Sequence, residues 1–117
     1  MRETGTTTVV MFRRDREGVT FALFPELPAD DHGRLCTAYE RAGQHCAADY
    51  SLCVAHSDPA APDEYAELYR ELERRGYDLS VRQRATPEMH ESRRRIAAER
   101  RCRSSQRRLR GARTGTT

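Results

Sequence analysis

An α+β domain is the fold class the sequence predicts: a small, largely antiparallel sheet packed against one or two helices on one face, followed by a disordered basic C-terminal tail. Three observations predict it. Two β-rich runs flank a polar segment that ends in Gly18, a helical period follows Pro62, and the arginine-rich end carries no apolar stripe. A length of 117 residues suits one domain with one core. Apolar residues make up 37%, charged residues 33%, and Trp is absent, so the core is thin and does not reach the end of the chain. The expected division is a domain over residues 1–99 and a tail over residues 100–117.

The hairpin comes first. Thr7 to Arg13 is rich in β-branched and apolar residues, and Val19, Phe21 and Leu23 alternate with Thr20, Ala22 and Phe24. The segment from Arg14 to Gly18 between them is polar turn chemistry. Pro25-Glu26-Leu27-Pro28 is expected to stop the second strand, because proline has no N–H to give a central ladder. After the polar turn Ala29-Asp30-Asp31-His32-Gly33, the run Leu35 to Tyr39 predicts a third strand, although its length also permits a helix. Gly43 breaks that pattern. The stretch GQHCAADYSLCVAH then reads as a structured polar loop, with a short strand or turn around Leu52-Cys53-Val54.

Beyond Pro59 and Pro62 the period changes. Tyr65, Leu68, Tyr69 and Leu72 recur at helical spacing, with acids in the first turn, Arg74 and Arg75 at the end and Gly76 as the stop. Tyr77, Leu79 and Val81 alternate with Asp78, Ser80 and Arg82, the pattern of a half-buried strand. Thr86-Pro87-Glu88 opens a second helix, with Thr86 as cap. Its apolar face fades beyond Met89 and Ile96, and RRCRSSQRRLRGARTGTT reads as disordered.

Charge is distributed unevenly. Residues 1–92 hold 11 Arg against 17 acids, a net of −6, whereas residues 93–117 hold 10 Arg against Glu99 alone, a net of +9. An acidic body with a basic end suits a nucleic-acid or acidic-surface partner, or a tail that docks on its own body. All 21 basic residues are Arg and none is Lys. Because they are spread along the chain as well as clustered, that absence points to codon composition more than to a partner. The only early apolar run, Val9 to Phe12, is too short for a signal peptide or a membrane span, so a cytoplasmic protein with no membrane partner is expected. In that compartment Cys36, Cys46, Cys53 and Cys102 are expected as free thiols, buried small residues or metal ligands rather than disulfides.

The runs VTFALFPELPAD, RAGQHCAADY, DPAAPDEYAEL and RRGYDLSVRQRATPEMH resemble a group of small bacterial proteins encoded on plasmids, phage-related segments and other accessory DNA. The resemblance covers roughly residues 8 to 95 and leaves out the arginine-rich end. It implies a setting on an accessory genetic element. It brings no activity, fold or cofactor with it.

Several constellations bear on chemistry. Cys46, Cys53 and His56, with Cys36 or His45 to complete a set, are ligand types that zinc takes, but only Cys53-Val54-Ala55-His56 has knuckle spacing. A thiol enzyme needs a base beside its cysteine, and His45 next to Cys46 points away from it in extended chain. Asp30, Asp31 and Asp49 lie in ordinary turn contexts. No phosphate-binding glycine loop, G-x-G-x-x-G or G-x-S-x-G motif occurs. Gln44, His45, Asp49 and Tyr50 are candidates for a ligand or partner loop. Arg93, Arg94, Arg95, Arg100, Arg101, Arg103, Arg107, Arg108 and Arg110 are candidates for phosphate contacts. With no aromatic residue after Tyr77 to stack on bases, such contacts would not read sequence.

These readings lead to a non-enzymatic binding or adaptor module that needs no cofactor and meets a macromolecular partner through its sheet and the 43–56 stretch. The alternatives are a non-specific nucleic-acid-associated protein acting through the tail, and a zinc-dependent or thiol enzyme.

Overall fold

The computed structural model describes residues 7–40 and 44–114, and side chains as far as residue 107 apart from that of Gln44. The predicted hairpin forms from β1 (Thr8–Asp15) and β2 (Thr20–Pro28), which pair antiparallel with Met11 opposite Leu23 and Arg13 opposite Phe21. Asp15 closes the turn: its carboxylate accepts from the backbone N–H groups of Glu17 and Val19, both at 2.9 Å. Gly18 takes a positive φ of 86°, which a glycine adopts without steric cost.

The second strand does not stop at Pro25. It continues to Pro28, and the irregularity falls in its pairing with β3 (Cys36–Glu40), where the register shifts between Phe24 and Pro28. The shift falls where the two prolines have no N–H to give the ladder, so the pairing is interrupted and the strand continues instead of ending. The stretch expected as a loop is also ordered differently. Gln44–Ala48 is a strand, β4, paired antiparallel to β3 with His45 opposite Tyr39. Tyr50–Ala55 is a short helix, α1, whose first turn is capped by the Asp49 carboxylate accepting from Leu52 N–H at 3.2 Å.

From α1 the chain runs through β5 (Ser57–Pro59), α2 (Pro62–Arg74) and β6 (Leu79–Val81) into α3 (Pro87–Thr114). The strand order is β4-β3-β2-β1-β5, and β6 also joins β1, in parallel. Both short strands share the outer edge of β1: β6 takes Thr8 to Val10 and β5 takes Arg13 to Asp15. The sheet is therefore antiparallel except for this one pair.

Alternation divides the apolar residues between two faces, so the helices cover both faces of the sheet rather than one. Val10, Phe12, Ala22, Phe24 and Tyr39 pack under α2 with the buried Leu68 and Leu72. Phe12 stacks on Tyr65, ring centroids 4.2 Å apart. Met11, Phe21, Leu23, Cys36 and Ala38 point the other way, toward Tyr50, Cys53 and Val54 of α1 and toward Ala85. Each fully buried Leu, Phe or Met contributes on the order of 1.5–3 kcal/mol, and in a core this thin each matters.

The arginine-rich stretch from Arg100, read from sequence as disordered, continues α3 through residue 114, with the side chains from Arg100 to Arg107 exposed. The last three residues lie outside the described chain. Among the described residues no helix is long and apolar enough to cross a membrane.

Candidate functional site

The candidate residues of the 44–56 stretch are split between the faces of the sheet. His45 lies on the α2 face, its ring edge-on to Tyr39 with centroids 4.8 Å apart and its Nε2 hydrogen bonded to the Tyr77 hydroxyl at 2.9 Å. Tyr39 is fully buried, and its hydroxyl donates to the Glu71 carboxylate while the Arg75 guanidinium lies 5.4 Å from its ring centroid. Burial raises the Tyr39 pKa, and the Glu71 hydrogen bond and charge raise it further. The chain of His45, Tyr77, Tyr39, Glu71 and Arg75 thus ties the edge of the sheet to the end of α2.

Tyr50 lies on the opposite face. Its hydroxyl accepts from the Ala85 N–H at 3.1 Å, and its ring meets His90 of α3 edge to face at 4.7 Å. Asp49 serves as the cap of α1. Gln44 begins β4, and Gly43 lies outside the described residues. The expected single loop site is thus replaced by an edge strand and a capped helix whose side chains serve different contacts.

What the structure does bring together is Cys46, Cys53 and His56. They line one cleft of about 410 Å³ where α1 crosses the sheet, with Phe21, Ala38, Ala48 and Leu52 as its apolar lining and Asp15, Glu40 and Asp49 among its polar residues. Burial pushes both thiols up, reinforced by Glu40 at Cys46 and by Asp49 at Cys53. Beneath them, burial drives the Cys36 thiol up to about 11. Thiols held protonated are poor nucleophiles and must lose a proton to bind metal. Among the described residues no group of three or more His, Cys, Asp or Glu is placed to hold a metal ion. Leu52, one of the lining residues, stands 58% exposed, an apolar side chain left in water.

Two arginines with structural roles escaped the sequence reading. Arg13 is buried, donating to Ser57 Oγ at 2.9 Å, to the Ser57 carbonyl at 2.7 Å and to the Val54 carbonyl at 3.0 Å. It binds the end of α1 to β1 and β5, and the only hint was an Arg at an inward position of an apolar strand. Arg93, grouped by sequence with the phosphate-contacting arginines, is buried instead. It donates to the Gly33 carbonyl at 2.8 Å and to the Pro25 carbonyl at 2.7 Å, and its NH1 meets His90 Nδ1 at 2.7 Å. Both cations donate to backbone carbonyls, which compensate much of their desolvation, and the charges of Asp30 and Asp49 further favour the ionised Arg93.

The other arginines of the end whose side chains are described lie on the surface of α3. Arg94, Arg95, Arg100, Arg101, Arg103 and Arg107 are exposed. Arg95 donates to Ser92 Oγ at 3.1 Å, and Arg101 reaches the Asp31 carbonyl at 2.5 Å. Arg108 and Arg110 lie within α3, their side chains outside the described set.

Comparison of this chain with protein-family models, with curated proteins and with solved structures finds no match.

Proposed function

We propose that the protein is a binding module that takes up an extended segment of a partner protein along β4, with one apolar side chain of that segment seated in the cleft beside α1. The observation that carries this reading is the coincidence of two features at one place. β4 ends the sheet order and, among the described residues, pairs on one side only, and its Cys46 and Ala48 line the cleft. A strand laid against β4 puts the side chain opposite Cys46 on the cleft face, because cross-strand neighbours share a face.

The partner's chemistry follows from the lining. The cleft accepts a small aliphatic side chain, and Asp15, Glu40 and Asp49 favour basic residues flanking it. β4 itself, Gln-His-Cys-Ala-Ala, carries no Lys, Asp, Glu or Pro to discourage pairing. The raised thiols favour this use over nucleophilic catalysis. The reading takes the protein as cytoplasmic, where its four thiols stay reduced. It places the module on an accessory genetic element of a bacterium, in keeping with the resemblance of residues 8 to 95.

Selection of peptides from a random library on the full chain tests it. Selected peptides are expected to carry an aliphatic residue flanked by Arg or Lys, and to protect from hydrogen exchange those alternate amides of residues 45–48 that face away from β3. Cys46→Trp and Leu52→Asp are each expected to weaken binding by about tenfold, the loss of one apolar anchor. Peptides that protect another segment, or that bind both variants unchanged, would refute it.

A further inference from the structure

We infer that the exposed arginine face of α3 is a docking surface for the phosphate backbone of duplex DNA, used without reading sequence. This surface is separate from the β4 cleft, so either assignment can fail alone.

The geometry begins with the anchor. Arg93 ties α3 to Gly33 and Pro25, and Gly33 lies so close to the helix that an added Cβ would meet the Arg93 carbonyl oxygen and the Arg94 Cα at 3.0 Å. The helix is therefore fixed at Arg93 and Ala97, and its next turns, from Arg100 to Ser105, border residues 28–31 before the helix runs on to Arg107. Arg100, Arg103 and Arg107 follow at spacings of i, i+3 and i+7, so successive turns place them on one face. All three are exposed. Arg101, by contrast, is held against the body by the Asp31 carbonyl, and Arg93 is internal. The free face is thus narrower than the sequence cluster.

The charge pattern identifies the partner class. Ten arginines face a single acid, Glu99, over residues 93–117, while residues 1–92 carry a net −6. A polyanion is repelled by the body and drawn to α3, which orients the encounter. An α-helix about 10–12 Å across fits the major groove of B-DNA, about 12 Å wide, whereas the deep groove of duplex RNA is too narrow. Single strands are bound by stacking on aromatic rings, and none follows Tyr77. Guanidinium groups on a helix surface pair with phosphates as planar donors.

Fluorescence anisotropy of the full chain on a duplex of about 30 base pairs, from about 20 to 200 mM salt, tests the inference. Three phosphate contacts predict a log–log salt slope near −2.7. Arg100→Gln/Arg103→Gln/Arg107→Gln keeps good helix formers, and helicity is checked by circular dichroism. It is expected to lose at least about tenfold in affinity at low salt and to flatten the slope toward zero. A control with the same charge change elsewhere, Arg70→Gln/Arg74→Gln/Arg84→Gln, is expected to bind like the parent. Four results would each overturn the inference: no binding by the parent chain at low salt, equal weakening by the control, tighter binding of a single strand of the same length, or equal binding of polyglutamate. The last would assign the face to acidic protein surfaces.

Discussion

Arg93 and Gly33 are 60 residues apart in sequence and joined by a 2.8 Å hydrogen bond from the guanidinium Nε to the glycine carbonyl. The same guanidinium holds Pro25 in β2, so one side chain fastens α3 to the sheet and to the loop that follows it. Arg93→Met is expected to leave two carbonyls without their donor and to destabilise the fold by about 3 kcal/mol in urea unfolding. Arg93→Lys, with no planar fork, should recover less than half of that loss. Equal stability of Arg93→Met and the parent chain would show that the anchor is dispensable.

Gly33 presents the other side of the same contact. Its φ is +71°, and a Cβ there would press on helix backbone at 3.0 Å and on the Ala97 Cβ at 3.2 Å. Helix backbone cannot yield as a flexible side chain would, so Gly33→Ala should cost about 2–4 kcal/mol, overpacking added to the left-handed penalty. Gly18, at φ +86° with nothing within 4 Å, bears the conformational penalty alone, and Gly18→Ala should cost about 1 kcal/mol. Paired unfolding curves measure the difference, and a larger cost at Gly18 would reverse the argument.

His90 should make this junction sensitive to pH. Burial first, then the positive charges of Arg93 and Arg94, lower its pKa below the ordinary 6.5, and its Nδ1 faces the Arg93 NH1 as an acceptor. A histidine that binds its proton more weakly when folded favours the unfolded state as acid is added. Its contribution is intact above pH 6.5 and is lost as pH falls from 6.5 through the lowered folded value. Stability measured between about pH 7 and pH 5 should decline, and His90→Asn, which keeps an acceptor but cannot titrate, should flatten part of that decline. An unchanged slope in the variant would remove His90 from the account.

The thiols should differ in reactivity. Cys36 is buried with its pKa pushed up to about 11, Cys46 is exposed but raised by burial of its sulfur and by Glu40, and Cys102 is exposed on α3. Timed alkylation near pH 8, read by peptide mass spectrometry, should modify Cys102 first and Cys46 more slowly, with Cys36 reacting only on unfolding. Early labelling of Cys36 in the native protein would contradict the packing of the α1 face.

Particular elements show which parts of the fold can be read from sequence. The hairpin, α2 and the start of α3 are legible because their signals are local: alternation around Asp15 and Gly18, the period of Tyr65, Leu68, Tyr69 and Leu72, and the Thr86-Pro87 cap. β4 and α1 are not. At five and six residues they are too short for a period to show, and β4 exists because β3 lies beside it with Tyr39 opposite His45. Of the site, the grouping of Cys46, Cys53 and His56 was visible as spacing, but the separation of His45 and Tyr50 onto opposite faces was not.

The sequence by itself determined the α+β class, the hairpin, the main amphipathic helix and the segregation of positive charge at one end, because each follows from periodicity, turn chemistry or composition along the chain. Only the tertiary structure decided that helices cover both faces, that the second strand passes through its prolines, and that Arg93 is an internal anchor while its neighbours stay in solvent. The physical reason is rotation about the helix axis. Arg93, Arg94 and Arg95 are identical in chemistry, and a turn of about 100° per residue aims only the first at the carbonyls of Pro25 and Gly33.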